Sequence, residues 1–386
     1  MRKYFVSGVG PGEAGASRFF MNIEHIARSK GYSILYPYTH KSLRGLWVRS
    51  PSLAIAQMFN QVVGRISFYL KLLFVCNSTI FMMHPQGIGF LFSMLLIGRN
   101  KEIRYYVLDN SYFCLRSYNY HKKGGECMKC VGFESAPYSD CRSFPGFRMK
   151  IIHRAFMFYL KKNLGKITFY CQNKKQIELL ELHFGLPVSS QLVGMLASDT
   201  RFEQAAEFSS SAKFIDGIDG IDGIDALGEF LVFHGSQDSA KGIDLSLKLA
   251  EQTPKVNFVF PFSKPKNVSP SNNCVFIPCR WESGLNELVE RALGVLCLSQ
   301  WSAPVEGALI KSLYFNGAVI VSDTRFGFSS EIPNGLTLKV NENTGSELLS
   351  KFMKDESGRQ RMIAGSKKWI STYSKSVMLE NMFDES

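Results

Sequence analysis

Long hydrophobic runs are missing from this 386-residue sequence. The longest apolar stretch, Gly87 to Gly98, covers 12 residues, whereas a membrane-spanning helix needs about 20. The apolar segment near the N-terminus stops at Gly8 and Gly10, so we expect no secretory signal peptide. With 45% hydrophobic and 20% charged residues, the chain is expected to be globular, with two or three domains.

Acidic residues are missing from much of the first half. None occurs between Glu24 and Glu102, a stretch that holds nine Lys and Arg. Residues 1–200 carry 26 basic and 10 acidic residues, whereas residues 201–386 carry 19 and 23. A field of one sign indicates an anionic partner: a lipid surface, a phosphorylated substrate or nucleic acid. No helix-turn-helix, RRM-like or zinc-finger pattern accompanies the charge, so we expect no nucleic acid.

Large apolar residues alternate with these basic residues between Trp47 and Leu73. This combination is typical of a helix that lies in an anionic membrane interface. The alternative is a solvated basic face over an ordinary helical core. We favour the first interpretation and predict peripheral association with a membrane surface.

The nine cysteines have no export signal beside them, so reduced thiols in a cytoplasm are expected. Four of them cluster, at Cys114, Cys127, Cys130 and Cys141. Four thiolates suffice for a structural zinc ion, which makes zinc one hypothesis for this cluster. Unligated thiols and a labile disulfide are the alternatives.

Two α/β series follow one another along the chain. Short apolar runs alternate with helical patterns, as at Tyr4–Val9, Thr79–Met83 and Lys166–Cys171, and the rhythm restarts at Phe230. Such alternation predicts parallel sheets with helices on both faces. The predicted fold class is α/β, with two α/β domains in tandem. The predicted boundaries are a first domain at 1–200, a low-complexity linker at 201–228, a second domain at 229–360, and a final segment at 361–386.

The linker contains a repeated Ile-Asp-Gly triplet from Ile215 onward. Its carboxylates recur at every third residue, whereas an EF-hand loop needs ligands at alternate positions and a downstream Glu. An exposed loop without a metal is therefore expected there.

A glycine-rich loop lies between the first strand and the first helix, where Ser17 is a predicted helix cap. Its spacing Gly10-x-Gly12-x-x-Gly15 allows backbone N–H groups to approach phosphate or sugar oxygens. A dinucleotide site would also need an acid about 20 residues further on, which is missing. Gly12 and Gly15 are therefore candidate ligand-binding residues, with a plain tight turn as the alternative.

Two motifs in the second half point to the same kind of ligand. Gly235 and Ser236 follow a strand, and Lys241 and Gly242 precede a helix, an arrangement that suits a diphosphate. Glu306 stands at the start of another helix, where a carboxylate can accept sugar hydroxyls. A surface lysine at a helix start and a first-turn acid that complements the helix dipole are the alternatives.

Together these motifs resemble the retaining nucleotide-sugar glycosyltransferases of the family called GT4, which have the GT-B fold. The resemblance covers nearly the whole chain, including the turn from Arg325 to Glu331. It implies two tandem Rossmann-like domains with a cleft between them: an acceptor-binding domain at 1–200 and a nucleotide-sugar-binding domain at 229–360, with a helix at 361–386 that returns to the first domain. It also implies that Gly12 and Gly15 bind the donor. It implies that Gly235, Ser236 and Lys241 bind the donor diphosphate and that Glu306 binds donor hydroxyls. The chain departs from the family pattern because no second glutamate lies eight positions from Glu306.

Further site residues are transferred by the same resemblance. The resemblance leads us to expect a cation directly after Gly235, where this chain has Ser236, and Lys311 is the candidate to supply that positive charge. Asp109 stands where the family has a His-Asp pair, and His84 ends an earlier strand, so both are candidate catalytic residues. No Asp-x-Asp occurs in the sequence, so no metal or other cofactor is expected for catalysis beyond the nucleotide-sugar substrate; whether a metal binds anywhere stays unknown.

The sequence therefore predicts a glycosyltransferase at the inner face of a membrane. The expected partners are a nucleotide-sugar, a lipid-linked or oligosaccharide acceptor used for surface polysaccharide such as lipopolysaccharide, and an anionic membrane surface. A non-catalytic membrane-associated binding protein and a GT-B-shaped nucleotide-sugar epimerase are the alternatives.

Overall fold

The structure is a computed structural model. It describes residues 2–12, 15–37, 50–122, 125–143, 149–195, 228–265, 269–377 and 382–383. The chain divides into two compact units. Unit 1 comprises Met1–Asn119, Met128–Ala197 and Met378–Ser386, and unit 2 comprises Tyr120–Cys127 and Ser198–Val377. The predicted linker at 201–228 lies, except for its last residue, outside the described residues.

The first half of the chain alternates strands and helices. In chain order these are β1 (Lys3–Ser7), α1 (Gly15–Ser29), β2 (Ser33–Leu35), α2 (Pro51–Leu73), β3 (Thr79–Met83), α3 (Pro85–Ile88), α4 (Phe90–Arg99), β4 (Glu102–Tyr106), β5 (Tyr120–His121), β6 (Gly125–Glu126), α5 (Lys150–Lys162), β7 (Ile167–Cys171), α6 (Lys174–Phe184) and β8 (Ser190–Leu192), with 3₁₀ turns at Val131–Phe133 and Leu164–Lys166.

Unit 1 contains a six-stranded parallel sheet in the order β2-β1-β3-β4-β7-β8. Every residue of β3 is buried, as expected for a central strand covered on both faces. Aromatic rings dominate the core, and Phe383, near the end of the chain, packs among Phe5, Tyr32 and Phe81. Met382 and Phe383 therefore belong to the core of unit 1.

Helix α2 carries its apolar side chains on the outside. Its buried residues are Ala54, Phe68 and Leu72, whereas a larger apolar set is exposed, from Leu53 (59%) through Phe59 (66%) and Ile66 (53%) to Leu73 (41%). An ordinary surface helix turns its apolar stripe toward the core. Helix α2 therefore displays an apolar surface, to which we return below.

The second half of the chain repeats the alternation. In chain order the elements are β9 (Phe230–Phe233), α7 (Ile243–Gln252), β10 (Asn257–Phe260), β11 (Cys274–Phe276), α8 (Leu285–Arg291), β12 (Gly294–Cys297), α9 (Gly307–Phe315), β13 (Val319–Ser322), β14 (Leu338–Val340), α10 (Gly345–Lys354) and α11 (Glu356–Ser376), with 3₁₀ turns at Ser239–Lys241, Trp281–Ser283 and Phe328–Ser330.

Unit 2 is built on a second six-stranded parallel sheet, in the order β11-β10-β9-β12-β13-β14. The central strands β9, β12 and β13 are fully buried. The short antiparallel hairpin β5–β6 also packs in this unit, although its sequence lies within the first half of the chain.

The predicted α/β fold with two Rossmann-like domains is confirmed. Details differ: α1 begins at Gly15, so Ser17 lies inside the helix and does not cap it. No helix among the described residues is both long and apolar enough to cross a membrane.

Candidate functional site

Polar side chains collect at the carboxyl ends of the strands in unit 2. Because all six strands are parallel, the loops after β9, β12 and β13 emerge at one edge of the sheet, where open α/β sheets bind ligands. These loops carry Lys241, Glu306 and the turn from Arg325 to Ser329. The candidate donor site is built on this edge.

Lys241 and Glu306 form an ion pair between Nζ and Oε1. The side chains are 22% and 14% exposed, so the pair stays accessible from solvent. Glu306 directly precedes α9, but its carboxylate does not cap that helix. The structure therefore turns Glu306 toward Lys241.

Glycine is required beside Lys241. Gly242 has φ of 86°, and a Cβ there would overlap the backbone oxygen of Leu298. Gly235 is also tight, because a Cβ would lie 2.8 Å from the ring of Phe233. Ser236 is exposed in the turn after Gly235. The strand–glycine–lysine segment is thus held close to the loop that follows β12.

A small cleft lies next to this ion pair. Its lining includes Trp301, Ala303, Glu306, Gly327, Phe328 and Ser329. The Lys241 Nζ lies 5.0 Å from the centroid of the Trp301 ring. Burial raises the pKa of the Cys297 thiol, which also lines the cleft, to about 12, so this thiol stays protonated. A cation, a carboxylate and an aromatic ring therefore converge without a reactive nucleophile.

A second cluster is centred on His234, which follows β9. It includes Trp281 from the 3₁₀ turn after β11, together with Lys311 and Ser312 of α9. The His234 ring stacks on Trp281 with a centroid distance of 5.4 Å, and its Nδ1 lies 2.9 Å from Ser312 Oγ. Burial lowers the pKa of His234 to about 3, and Lys311 acts in the same direction, so the ring is neutral. Lys311 Nζ lies 4.2 Å from the centroid of Trp281.

Glu126 is a carboxylate of this site that sequence reasoning missed. It comes from strand β6 and accepts hydrogen bonds from Ser302, Arg325 and Phe326. It is the one acid between Asp109 and Glu134 in a segment rich in Lys and Arg. A single acid among basic residues could have drawn attention to Glu126. Its neighbours in the sequence do not indicate hydrogen-bond partners that lie 176 to 200 residues further along the chain.

Unit 1 brings together the two residues predicted as catalytic candidates. His84 follows β3 and Asp109 follows β4, and His84 Nε2 lies 3.6 Å from Asp109 Oδ2. Both side chains are 9% exposed. The backbone of His84 has φ of 58°, a left-handed conformation that costs energy for a non-glycine residue and that clusters at functional sites.

Hydrogen bonds fix the orientation of both side chains. The Gly87 N–H donates to His84 Nδ1 at 3.1 Å, which leaves the ring proton on Nε2, facing Asp109. Asp109 Oδ1 accepts from the Ser111 N–H at 2.9 Å. Ser117 Oγ donates to Gln86 Oε1 at 2.7 Å and so ties the following loop to α3. The pair is therefore pre-organised.

The two glycines predicted to face a ligand in unit 1, Gly12 and Gly15, have more space around them than Gly8. A Cβ at Gly15 would meet nothing within 4 Å, and one at Gly12 would lie 3.1 Å from the Ser17 side chain. A Cβ at Gly8 would instead overlap the backbone oxygen of His84. The close backbone approach lies at Gly8, next to His84.

The zinc hypothesis is not supported. Within the described part of the chain, which includes all four clustered cysteines, no three His, Cys, Asp or Glu side chains lie close enough to hold a metal ion. Cys127 belongs to the hairpin segment of unit 2, whereas Cys114, Cys130 and Cys141 belong to unit 1. The four cysteines are therefore near one another in the sequence but do not form a set of zinc ligands.

Comparisons with known proteins rest on structure alone, since no family model and no curated protein matches the sequence. HepE from Anabaena, solved in complex with UDP, is similar with a TM-score of 0.56 and 10% identity, over 99% of this chain and 97% of HepE. WaaG, a glycosyltransferase involved in lipopolysaccharide biosynthesis, gives a TM-score of 0.55 and 14% identity, over 98% and 97%. Sucrose-phosphate synthase from Thermosynechococcus elongatus gives 0.57 and 10%, over 99% and 96%.

These similarities extend over nearly the whole length of each of the three solved structures. At such low identity they establish architecture, and the two parallel six-stranded sheets agree with it. The chain therefore has the two-domain GT-B fold, the fold of its glycosyltransferase neighbours.

Proposed function

We propose that the protein is a glycosyltransferase that moves a sugar from a nucleotide-sugar to a saccharide acceptor. The observation that carries the proposal is the Lys241–Glu306 pair at the ligand-binding edge of unit 2, beside Trp301. Structural neighbours have been solved with UDP and with UDP-glucose. The pair supplies a positive group for a diphosphate and a carboxylate for hydroxyl groups.

Donor binding is assigned to unit 2. Lys241 and Ser236 would hold the diphosphate, and Glu306 would accept hydrogen bonds from donor hydroxyls. As the bond between sugar and phosphate breaks, negative charge develops on the diphosphate, and a fixed ammonium group stabilises it. A nucleoside diphosphate is therefore the expected leaving group, and no bound metal is required for this role.

Sugar transfer is assigned to Asp109, or to His84, in unit 1. Their fixed pair suits orientation of a sugar at the reacting centre. In the retaining mechanism that we propose, the new bond forms on the face that the diphosphate leaves. An oxygen of the departing donor phosphate then takes the proton of the acceptor hydroxyl.

We further propose that the acceptor is lipid-linked and serves surface polysaccharide synthesis at the cytoplasmic face of a membrane. Support comes from α2, whose exposed apolar residues include Ile55, Phe59 and Ile66. The same helix carries Arg65 and Lys71 and no acid. Apolar contact and basic charge together suit an anionic lipid surface.

A nucleotide screen tests the donor site. UDP, GDP, CDP, ADP and dTDP are added separately, with and without EDTA, and the unfolding temperature is measured. A nucleotide that binds the folded protein raises this temperature by mass action. We expect one nucleotide to raise it, with EDTA making no difference.

Two variants make the screen specific. Lys241→Ala should weaken binding of that nucleotide by about tenfold or more, because a charge-assisted contact is lost. Lys248→Ala is the matched control, since Lys248 lies on α7 and is 45% exposed in an ion pair with Glu342. If both variants bind the nucleotide equally well, Lys241 is not part of the donor site. If none of the five nucleotides raises the unfolding temperature of the wild-type chain, the proposed activity is wrong.

Vesicle sedimentation tests the membrane surface. The wild-type chain should bind vesicles of phosphatidylcholine with phosphatidylglycerol, bind pure phosphatidylcholine less, and dissociate as salt rises. The double variant Phe59→Glu, Ile66→Glu should lose binding. Leu182→Glu on α6, at a position of the same unit that is 45% exposed, should retain it. If binding to the anionic vesicles does not change with salt concentration, the electrostatic part of the proposal is wrong.

A further inference from the structure

The hairpin β5–β6 brings a carboxylate to the donor-site loops of unit 2. Tyr120 and Glu126 are paired across its two strands, so their side chains are direct neighbours. Tyr120 is 8% exposed and packs in a cluster with Ala240, Trp301 and Ala303. The cluster anchors the hairpin at the place where Glu126 reaches its partners.

The Glu126 carboxylate joins two separate loops. Oε1 accepts from Ser302 Oγ at 2.5 Å and from the Phe326 N–H at 3.1 Å. Oε2 accepts from the Arg325 N–H at 2.6 Å. Ser302 lies in the loop after β12, and the two amides lie in the turn after β13. One side chain therefore satisfies donors from both loops.

Those same loops supply the lining of the cleft. Trp301 and Ala303 flank Ser302, while Gly327 and Phe328 follow the two amides. The Phe328 N–H also donates to the Ala303 carbonyl at 2.8 Å, which holds the loops together at a second point. Movement of Glu126 would therefore change the distance between the two walls of the cleft.

The chemistry at this position requires a carboxylate. All three partners donate, and an ionised carboxylate is an acceptor at both oxygens. A glutamine would place its NH₂ group against one of the donors, and an aspartate would be one methylene too short. Charge-assisted hydrogen bonds to backbone N–H groups are also the stronger kind.

We propose that Glu126 is a positioning residue for nucleotide-sugar binding: it fastens the loop at Ser302 to the turn at Arg325–Phe326 and so sets the width of the cleft. The inference rests on the proposed function for its ligand. The contacts themselves do not depend on it. Glu126 acts through the loops, and its removal should weaken donor binding while the Lys241–Glu306 pair remains in place.

The test uses Glu126→Gln, with Glu134→Gln as the matched control because Glu134 is exposed in the same segment of sequence. Hydrogen–deuterium exchange is measured by mass spectrometry on peptides that cover the turn after β13, and the UDP dissociation constant is measured by calorimetry. In Glu126→Gln, exchange at Arg325 and Phe326 should rise by roughly tenfold, and the dissociation constant should rise by about tenfold. Glu134→Gln should match the wild type in both.

Three results would overturn the proposal: unchanged exchange, unchanged UDP affinity, or tighter UDP binding. The last would mean that Glu126 occupies the place of an anionic group of the nucleotide. If Glu126→Gln does not fold, Ser302→Ala removes one of the three donors and should shift both readouts in the same direction by a smaller factor. Failure of the wild-type chain to bind any of the five nucleotides refutes the proposed function instead, and the exchange data still decide whether Glu126 holds the loops.

Discussion

The two units place polar groups at the same edge of the same kind of sheet, but they assemble them differently. In unit 1, His84 and Asp109 are fixed by backbone groups only two or three residues away. In unit 2, Lys241 pairs with Glu306 across 65 residues, and Glu126 contacts Arg325 across 199. Unit 1 builds its site locally, whereas unit 2 gathers its site from distant parts of the chain.

The difference suits the two roles that we propose. A pair held by short, local hydrogen bonds can orient a sugar. A site assembled from a cation and several loops can accommodate a charged diphosphate that arrives and leaves. Variants in unit 1 should therefore affect turnover, and variants in unit 2 should affect donor binding.

The largest effect is expected for a variant that should lower turnover without changing donor binding. Asp109→Asn keeps the shape of the side chain and the acceptor for Ser111, but it removes the charge next to His84. We expect the turnover number to fall by about 10² or more, as when an electrostatic group is removed from a reacting centre. Turnover is measured as release of nucleoside diphosphate from the sugar donor.

Donor binding by Asp109→Asn should stay within twofold of the wild type. Glu306→Gln should show the reverse pattern, with a roughly tenfold higher KM for the donor. Asp140→Asn, an exposed acid of unit 1, serves as the control. If Asp109→Asn weakens nucleotide binding as much as Glu306→Gln does, the division of roles between the units is wrong.

Acid should destabilise unit 1 more than unit 2. Burial lowers the pKa of His153 to about 4 and that of His183 to about 3, both in unit 1, and the pKa of His234 in unit 2 to about 3. In the unfolded chain each titrates near 6.5, so the unfolded state binds more protons as pH falls below that value. Stability is fully present above about pH 6.5 and declines toward pH 4 by about 1.4 kcal/mol per pH unit for each histidine.

Hydrogen exchange at pH 7 and at mildly acidic pH measures this decline separately in each unit. Amides of β4 and β7 report on unit 1, and amides of β9 and β12 report on unit 2. His153→Gln should reduce the acid sensitivity of unit 1, whereas His25→Gln, at an exposed position on α1, should leave it unchanged. Equal acid sensitivity in the two units would contradict the prediction.

Much of the sheet architecture could be predicted from the sequence. The expected strand at Thr79–Met83 has the bounds that the structure gives it, and the one expected at Lys166–Cys171 begins one residue later, at Ile167. Buried parallel strands are short apolar runs with polar neighbours, so their signal is local. Helix α2 was harder, because its exposed apolar side chains run against the rule that such residues face a core.

The candidate site was predictable only in part. Lys241, Glu306, His84 and Asp109 stand out because each follows a strand. Glu126 does not, since its partners lie 176 to 200 residues away and its own hairpin strands are two residues long. The left-handed backbone of His84 was equally hidden, because the residue type does not fix its φ, and the close approach of Gly8 to the turn at His84 exists only in the folded chain.

The smallest effect expected compares the glycines beside the two sites. Gly242→Ala meets both Leu298 and an unfavourable φ of 86°, whereas Gly8→Ala meets backbone atoms of the turn from His84 to Ile88 without an unfavourable φ. We expect the free energy of unfolding to fall by about 1–3 kcal/mol for Gly8→Ala, and by roughly 1 kcal/mol more for Gly242→Ala, since a strained φ adds to the overlap. Gly15→Ala meets nothing within 4 Å and should change stability by less than about 1 kcal/mol. Urea unfolding of the three variants measures the order, and a loss for Gly15→Ala as large as that for Gly8→Ala would show that the glycine loop, and not the turn at His84, is the constrained element of unit 1.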